Sequence, residues 1–307
     1  MKILISGGTG FIGNILTPKF IQHGHEVTVL ARSMDKGRTL PKGVEVILCD
    51  TTKPGTWQTA VAQHDAVINL AGTSIFRRWN RKGKQEILDS RTISTKNIVE
   101  ALAERRSKAT RFLNASGVGY YGFRGDEIVN ESNSPGNDFL AQVAQQWESV
   151  AASAGQFGAS VVLCRMGHVL GRNGGVMERL TMITKLCLGS QWGNGLQWVS
   201  WIHESDLADI YLFLLEHREI EGPVNVTAPE PVRNKDMMMV LRQHLKRRSI
   251  LPRVPSFVLK LIAGEFSSVF LNGQRAVPQI LLARGYTFKY PAVSEALHEL
   301  LGETGRD

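Results

Sequence analysis

The stretch that most restricts this chain is Gly7-Gly8-Thr9-Gly10-Phe11-Ile12-Gly13. It follows the apolar run Ile3-Leu4-Ile5-Ser6 directly. It opens a segment in which Ile12, Ile15, Leu16, Phe20 and Ile21 recur at helical spacing. Strand, glycine turn and helix in that order form the entry to a βαβ unit. Glycines at the turn remove the Cβ atoms that would collide with a pyrophosphate. Gly13 lets the helix approach the sheet, and the helix N-terminus offers unpaired N–H groups and a positive dipole. The residues from Gly7 to Gly13 are therefore expected to bind the diphosphate of a dinucleotide.

The rest of the first half keeps the same alternation. Gly24 ends the first helix, and strands are predicted over Glu26–Leu30, Val44–Cys49, Ala66–Leu70, Phe112–Ala115 and Ser160–Arg165. Helices are predicted from about Lys84 to Ala103 and from about Phe139 to Ala154. This order gives an α/β fold with a doubly wound, Rossmann-like parallel sheet. The second half is less regular. Gly171 to Gly195 carries six glycines around a short helix, Met177–Leu188, and reads as an excursion from the sheet. A small strand at Trp201–His203, a helix at Ser205–Leu215 and a late sheet strand at Val224–Thr227 follow. Beyond Pro229, helical patterns and turns at Pro252, Pro255, Pro278 and Pro291 predict a smaller, mostly helical C-terminal lobe. The expected division is residues 1–170 plus about 201–228 for the cofactor domain, with about 171–200 and 229–307 as a closing lobe.

A chain that is 43% hydrophobic and 21% charged has enough apolar material to fold, which excludes intrinsic disorder. Its apolar runs, such as Ala66 to Ala71, are strand-length and fall short of the roughly twenty residues a membrane span needs. Cys49, Cys164 and Cys187 form no Cys-x-x-Cys pair, so they read as small core residues rather than a disulfide framework or a metal site. No metal-ligand cluster is visible. Met1 leads straight into a strand, which with the free thiols points to a cytoplasmic, reducing location. The net charge of +8 comes from dispersed residues. The one compact run, Lys246-Arg247-Arg248, reads as a solvated helix end. The expected partner is an unknown small-molecule substrate, with no nucleic acid and no membrane, and a homodimer is compatible with the pattern.

The end of the second strand selects the dinucleotide. A site for the non-phosphorylated coenzyme usually carries a carboxylate about twenty residues beyond the glycines, bonded to the ribose hydroxyls. Arg32-Ser33 stands there instead. A guanidinium pairs with a 2′-phosphate that a carboxylate would repel, so NADP(H) is the expected cofactor, with Arg32 as its main contact and Ser33 assisting. Asp50 follows the third strand and could accept a bond from the adenine amino group. Asn69-Leu70-Ala71-Gly72 ends the fourth, where small residues would let backbone approach the cofactor.

The glycine pattern, Asn69-Leu70-Ala71-Gly72 and Trp201-Ile202-His203-Glu204-Ser205-Asp206 resemble the extended short-chain dehydrogenase/reductases, the group of the sugar-nucleotide epimerases. Arg78-Trp79, Ser90-Arg91, Gly119-Tyr120-Tyr121-Gly122, Gly167-His168-Val169-Leu170-Gly171 and Gly273-Gln274-Arg275-Ala276-Val277-Pro278 narrow this. Together they resemble an atypical branch called epimerase family proteins, with a C-terminal domain of unknown function; some of its members carry a cell-division-inhibitor label. The resemblance covers essentially the whole chain. It implies an NADP(H)-binding domain with a lobe closing over substrate, and it places Glu86 and Arg91 beside the cofactor.

The resemblance fails at the chemistry. Ordinary members use Tyr-x-x-x-Lys for proton transfer, and none of the five tyrosines here has lysine at that spacing. Matching the helix before the sixth strand puts Leu140 and Ala144 in those places. The remaining candidates for proton transfer are Ser116, beyond the fifth strand and also beside the cofactor, and Tyr121. Trp192, Asn194, Gln197, His203 and Arg275 are expected to line the substrate pocket. Two readings follow: an NADP(H)-dependent oxidoreductase or epimerase-like enzyme, or a non-catalytic NADP(H)-binding regulatory or sensing protein.

Overall fold

The computed structural model describes residues 1–33, 40–104 and 110–302, so the last residues of the expected closing lobe, 303–307, lie outside it. Seven strands form the central sheet: β1 (Lys2–Ser6), β2 (Glu26–Ala31), β3 (Glu45–Leu48), β4 (Ala66–Asn69), β5 (Arg111–Gly117), β6 (Ser160–Met166) and β7 (Gly222–Val226). Their spatial order is β7-β6-β5-β4-β1-β2-β3, and every pairing is parallel. The order reverses between β1 and β4, which opens a crevice at the carboxyl ends of those two strands.

The strands are buried on both faces, which is why they read as continuous apolar runs rather than alternating ones. Successive side chains still divide between the faces. Ile3, Ile5, Val27 and Val29 pack with Leu16 and Phe20 of α1 (Phe11–Gln22) and with Leu207, Ile210 and Leu214 of the helix Glu204–Glu216. Leu4, Leu30, Val67 and Phe112 pack on the opposite side. There they meet Trp57 and Val61 of α2 (Trp57–Gln63), Ile98 and Leu102 of α3 (Arg81–Ala103) and Ala151 of α4 (Phe139–Ala152). Two helices begin where a polar side chain caps them. Asn80 Oδ1 accepts the Gly83 N–H at 2.7 Å, which starts α3 three residues earlier than its apolar pattern suggests, and Asp138 Oδ1 accepts the Ala141 N–H at 3.1 Å.

The second half follows its expected outline, with shifted pairings. The excursion helix α5 (Gly175–Lys185) precedes α6 (Glu204–Glu216). Trp201–His203 pairs in parallel with His168–Leu170 rather than joining the central sheet, and the late strand is the sheet's edge, β7. The terminal lobe contains α7 (Asn234–His244), α8 (Ser256–Ala263), α9 (Ser268–Leu271), α10 (Gln279–Ala283) and α11 (Val293–Leu301). Short ladders stitch lobe to excursion: Arg253–Val254 pairs with Gln191–Trp192, and Val232–Arg233 with Trp198–Val199. A separate core of Leu170, Met177, Trp201, Met238, Leu241 and Leu297 fills the space they enclose. Among the described residues no helix is long and apolar enough to cross a membrane.

One buried cation ties the sheet to α6. Arg111, at the start of β5, is fully buried and donates to the carbonyls of Leu214 at 2.7 Å, His217 at 3.0 Å and Ile220 at 2.8 Å. Those carbonyls include the otherwise unpaired groups at the end of α6, where a positive charge is also favoured by the helix dipole. Arg111→Met should leave the buried Leu214 and Ile220 carbonyls without this donor and lower unfolding stability by about 3–5 kcal/mol. A urea unfolding midpoint equal to that of the unmutated protein would contradict this role.

Candidate functional site

A cleft of about 280 Å³ lies at the β1–β4 crevice. Gly7 stands at φ +74°, a conformation that favours glycine, and its N–H donates to the Leu30 carbonyl at 3.1 Å. A Cβ on Gly13 would collide with the Gly8 carbonyl, so the turn closes only with glycine there. Gly10 caps α1 without a side chain. The first helical bond runs from the Asn14 N–H to the Gly10 carbonyl at 3.0 Å, so the amides of Phe11, Ile12 and Gly13 stand ahead of it. The Phe11 ring packs against Gly171, Gly174 and Gly175 of the excursion, while Ile12 packs into the core.

Strand ends supply the rest of the cleft. Gly7, Thr9, Gly10, Arg32, Ser33 and Asp50 line it, as do Leu70, Ala71 and Gly72. Asp50 Oδ1 accepts the Thr52 hydroxyl at 2.7 Å and the Thr52 N–H at 3.1 Å. The hydroxyl bond above all, then the amide bond and the charges of Lys53 and Arg32, hold that carboxyl below its ordinary pKa. Thr51, Thr52, Thr73 and Ser90 also line the cleft. The three threonines are not among the expected contacts, although hydroxyl residues shortly after strands are an available signal, and Ser90 lies on α3 beside the expected Arg91. Several expected contacts, Asn69 and Glu86 among them, do not line the cleft. Asn69 is buried beneath the cleft, donating to Thr95 at 2.8 Å and Asn114 at 2.7 Å while its Oδ1 receives the Ala71 N–H at 3.2 Å; it props the loop. Glu86 forms an ion pair with Arg77 and does not line the cleft.

A second cavity, of about 240 Å³, adjoins the cleft; Arg91, Ser116, Leu140, Ala144, Trp147 and His168 are among its lining residues. Arg91 lies against Gly72, donates to the Thr73 carbonyl at 3.0 Å and lies 5.1 Å from the centre of the Trp147 ring. Burial lowers its pKa to about 10. The His168 imidazole is likewise biased toward its neutral form by burial. Leu140 and Ala144, expected in the tyrosine and lysine places, line this cavity.

Behind Ser116 lies a buried polar chain. Its hydroxyl donates to Glu148 Oε1 at 2.6 Å. Arg165 donates to the same carboxylate twice, Nε to Oε1 at 2.9 Å and Nη2 to Oε2 at 2.8 Å. Arg165 Nη1 donates to the Tyr121 oxygen at 3.1 Å, the Tyr121 hydroxyl donates to Asn225 Oδ1 at 2.7 Å, and the Tyr120 ring covers the guanidinium at 3.4 Å. Glu148 is therefore a buried residue of α4. Tyr121 is fully buried with its hydroxyl turned to Asn225, and burial pushes its pKa up to about 12. It does not face the cavity, which corrects its expected role as proton donor.

The expected substrate-pocket residues separate. Trp192 and Asn194 border an open bay of about 1000 Å³, with Arg253, Phe257, Lys260 and Asn272. Asn272 also borders the Ser116 cavity, so the two spaces meet there. Gln197 instead braces the backbone, donating to the Trp192 carbonyl at 3.2 Å and that of Phe270 at 2.6 Å. Arg275 stacks over Trp198 at 4.4 Å. His203 caps α6, accepting the Ser205 N–H at 3.1 Å, and meets Glu299 at 3.0 Å. These last three do not line the cavity.

A parallel sheet with a glycine cradle at its switch point defines a dinucleotide-binding α/β protein. Residues 3–227 match the model of the NAD dependent epimerase/dehydratase family, and the chain belongs to that family. Residues 254–300 match a domain of unknown function, DUF1731. The chain is 35% identical over 303 residues to the chloroplastic epimerase family protein SDR39U1 homolog of Arabidopsis thaliana, covering 98% of this chain and 87% of that one. It is 34% identical over 306 residues to the epimerase family protein YfhF of Bacillus subtilis, covering 99% of each. The crystal structure of human epimerase family protein SDR39U1 (isoform 2) with NADPH superposes with a TM-score of 0.85 at 30% identity, covering 99% of this chain and all of that one.

The buried ion cluster yields a stability prediction. Glu148→Ala strands the Arg165 charge and should cost about 3–5 kcal/mol of unfolding free energy. Adding Arg165→Met should recover part of that loss. Urea melts that show no destabilisation in the single variant would contradict the pairing.

Proposed function

We propose that this chain is an NADP(H)-dependent oxidoreductase or epimerase-like enzyme acting on a small-molecule substrate that is not yet identified. The observation that carries this reading is Arg32-Ser33 on the wall of a cleft whose floor is the glycine cradle. The cradle fits a diphosphate because no Cβ projects from Gly7 or Gly13 and the α1 amides lead into it. The guanidinium beside it favours the coenzyme with an additional phosphate, and the NADPH in the human relative's structure is in keeping with that. Asp50, held ionised, offers an acceptor for the adenine amino group. Bacterial relatives and thiols at Cys49 and Cys164 that burial pushes up to about 11 and about 12 are consistent with a cytoplasmic setting.

When bound, the nicotinamide gives or takes a hydride. The chain's own residues must handle the proton. Ser116 has its hydrogen committed to Glu148, so its oxygen is free to accept a bond from a substrate hydroxyl. A proton arriving at Ser116 can leave along that bond to Glu148. His168 lines the same cavity, where burial disfavours its charged form and leaves the imidazole as a hydrogen-bonding group. A second reading, a non-catalytic NADP(H)-binding regulator, is favoured by Leu140 and Ala144, which move no proton. NADPH oxidation screened against aldehydes, ketones and sugar nucleotides separates the two readings.

Calorimetric titration tests the cofactor assignment. NADPH should bind more tightly than NADH, and Arg32→Ala should weaken NADPH binding by about tenfold to a hundredfold while leaving NADH nearly unchanged. Equal affinities in the unmutated protein would overturn it.

A further inference from the structure

Helix α8 reads Ser-Phe-Val-Leu-Lys-Leu-Ile-Ala, and none of its residues is buried. Leu261, Ile262 and Phe257 are 85%, 79% and 69% exposed, and nearby Ile250 is 74% exposed. The Ile250 N–H donates to the Cys187 carbonyl at 2.9 Å, which sets Ile250 beside the exposed Leu186 and Leu188. Aliphatic side chains concentrated in this way mark a docking face rather than ordinary surface.

The charge on this segment is of one sign. From Lys246 to Gly264 the chain carries Lys246, Arg247, Arg248, Arg253 and Lys260, all exposed, and no Asp or Glu. The next carboxylate, Glu265, is already paired with Lys84 at 2.6 Å. The solvated basic run noted in the sequence therefore borders the apolar face.

We propose that this face docks on an anionic lipid bilayer, against the expectation from the sequence that no membrane is a partner. Such a surface takes both parts of the patch: aliphatic side chains enter the headgroup boundary, while lysine and arginine stems extend to the lipid phosphates. A nucleic acid would meet the cations but leave Leu261 and Ile262 in water. A second copy across a two-fold axis would set Lys260 and Arg253 against like charges, with no carboxylate from the segment to answer them. An eight-residue helix is too short to span the hydrocarbon, so the contact is interfacial. Phe257 and Lys260 also border the bay, which puts its rim at the docked face.

Co-sedimentation of the full chain with vesicles tests this. Vesicles of about seven parts phosphatidylcholine to three parts phosphatidylglycerol should pellet the protein, and phosphatidylcholine alone should not. The partition coefficient should fall at least about tenfold between about 0.05 and 0.5 M NaCl. The double variant Ile250→Asp/Leu261→Asp, at positions exposed enough to keep the thermal midpoint, should lose about tenfold or more of the vesicle binding. Three results would overturn the proposal: no pelleting on anionic vesicles at low salt, full pelleting of the double variant, or a dimer by analytical ultracentrifugation that the double variant dissolves.

Discussion

The turn between β1 and α1 closes because nothing projects from Gly13. Its Cα packs on the Gly8 backbone so tightly that a methyl group would collide with the Gly8 carbonyl. That contact fixes where α1 begins, and so where its leading amides stand relative to β1 and β4. The cleft is a consequence. Leu70 and Ala71 approach Gly7 closely, with a hypothetical Cβ there only 3.1 Å from the Leu70 carbonyl carbon. Arg32, Asp50 and Ser90 are then carried to the same space by three separate elements. The sheet supplies rigidity, and the loops at its carboxyl edge supply the chemistry.

Beside the cleft, a buried ion pair stands behind the cavity that borders Leu140 and Ala144. Glu148 and Arg165 share two hydrogen bonds, and Ser116 and Tyr121 bond to the ends of that pair. Burying two charges is costly unless every lone pair and proton is used, and here they largely are. The arrangement fixes the Ser116 hydroxyl, whose hydrogen is committed to Glu148. It also removes Tyr121 from the cavity, because the Tyr121 hydroxyl is needed between Arg165 and Asn225.

The sheet and cradle were legible because they are local: an apolar run, a glycine turn and a 3.6-residue period lie within a few residues of one another. Glu148 escapes that local reading, yet a signal was present. It falls four residues beyond Ala144 and three before Ala151, both buried, and Arg165 directly follows the apolar run Val161-Val162-Leu163-Cys164. A charge in a buried strand requires a partner, and Glu148 is on the helix face that meets it. Gln197, His203 and Arg275 were beyond such reasoning. The two-residue ladders that place the excursion against the lobe are too short to leave a period in the sequence.

Phosphorus NMR of NADP⁺ titrated with this protein examines both halves of the cradle at once, since the diphosphate and the 2′-phosphate give separate signals. The free 2′-phosphate loses its last proton near a pKa of about 6. Clasped beside the Arg32 guanidinium, it should remain doubly charged to a pH lower by about one unit, while the diphosphate signals move as the α1 amides engage them. A 2′-phosphate that titrates as in free solution, or a diphosphate that does not respond to the protein, would contradict the account.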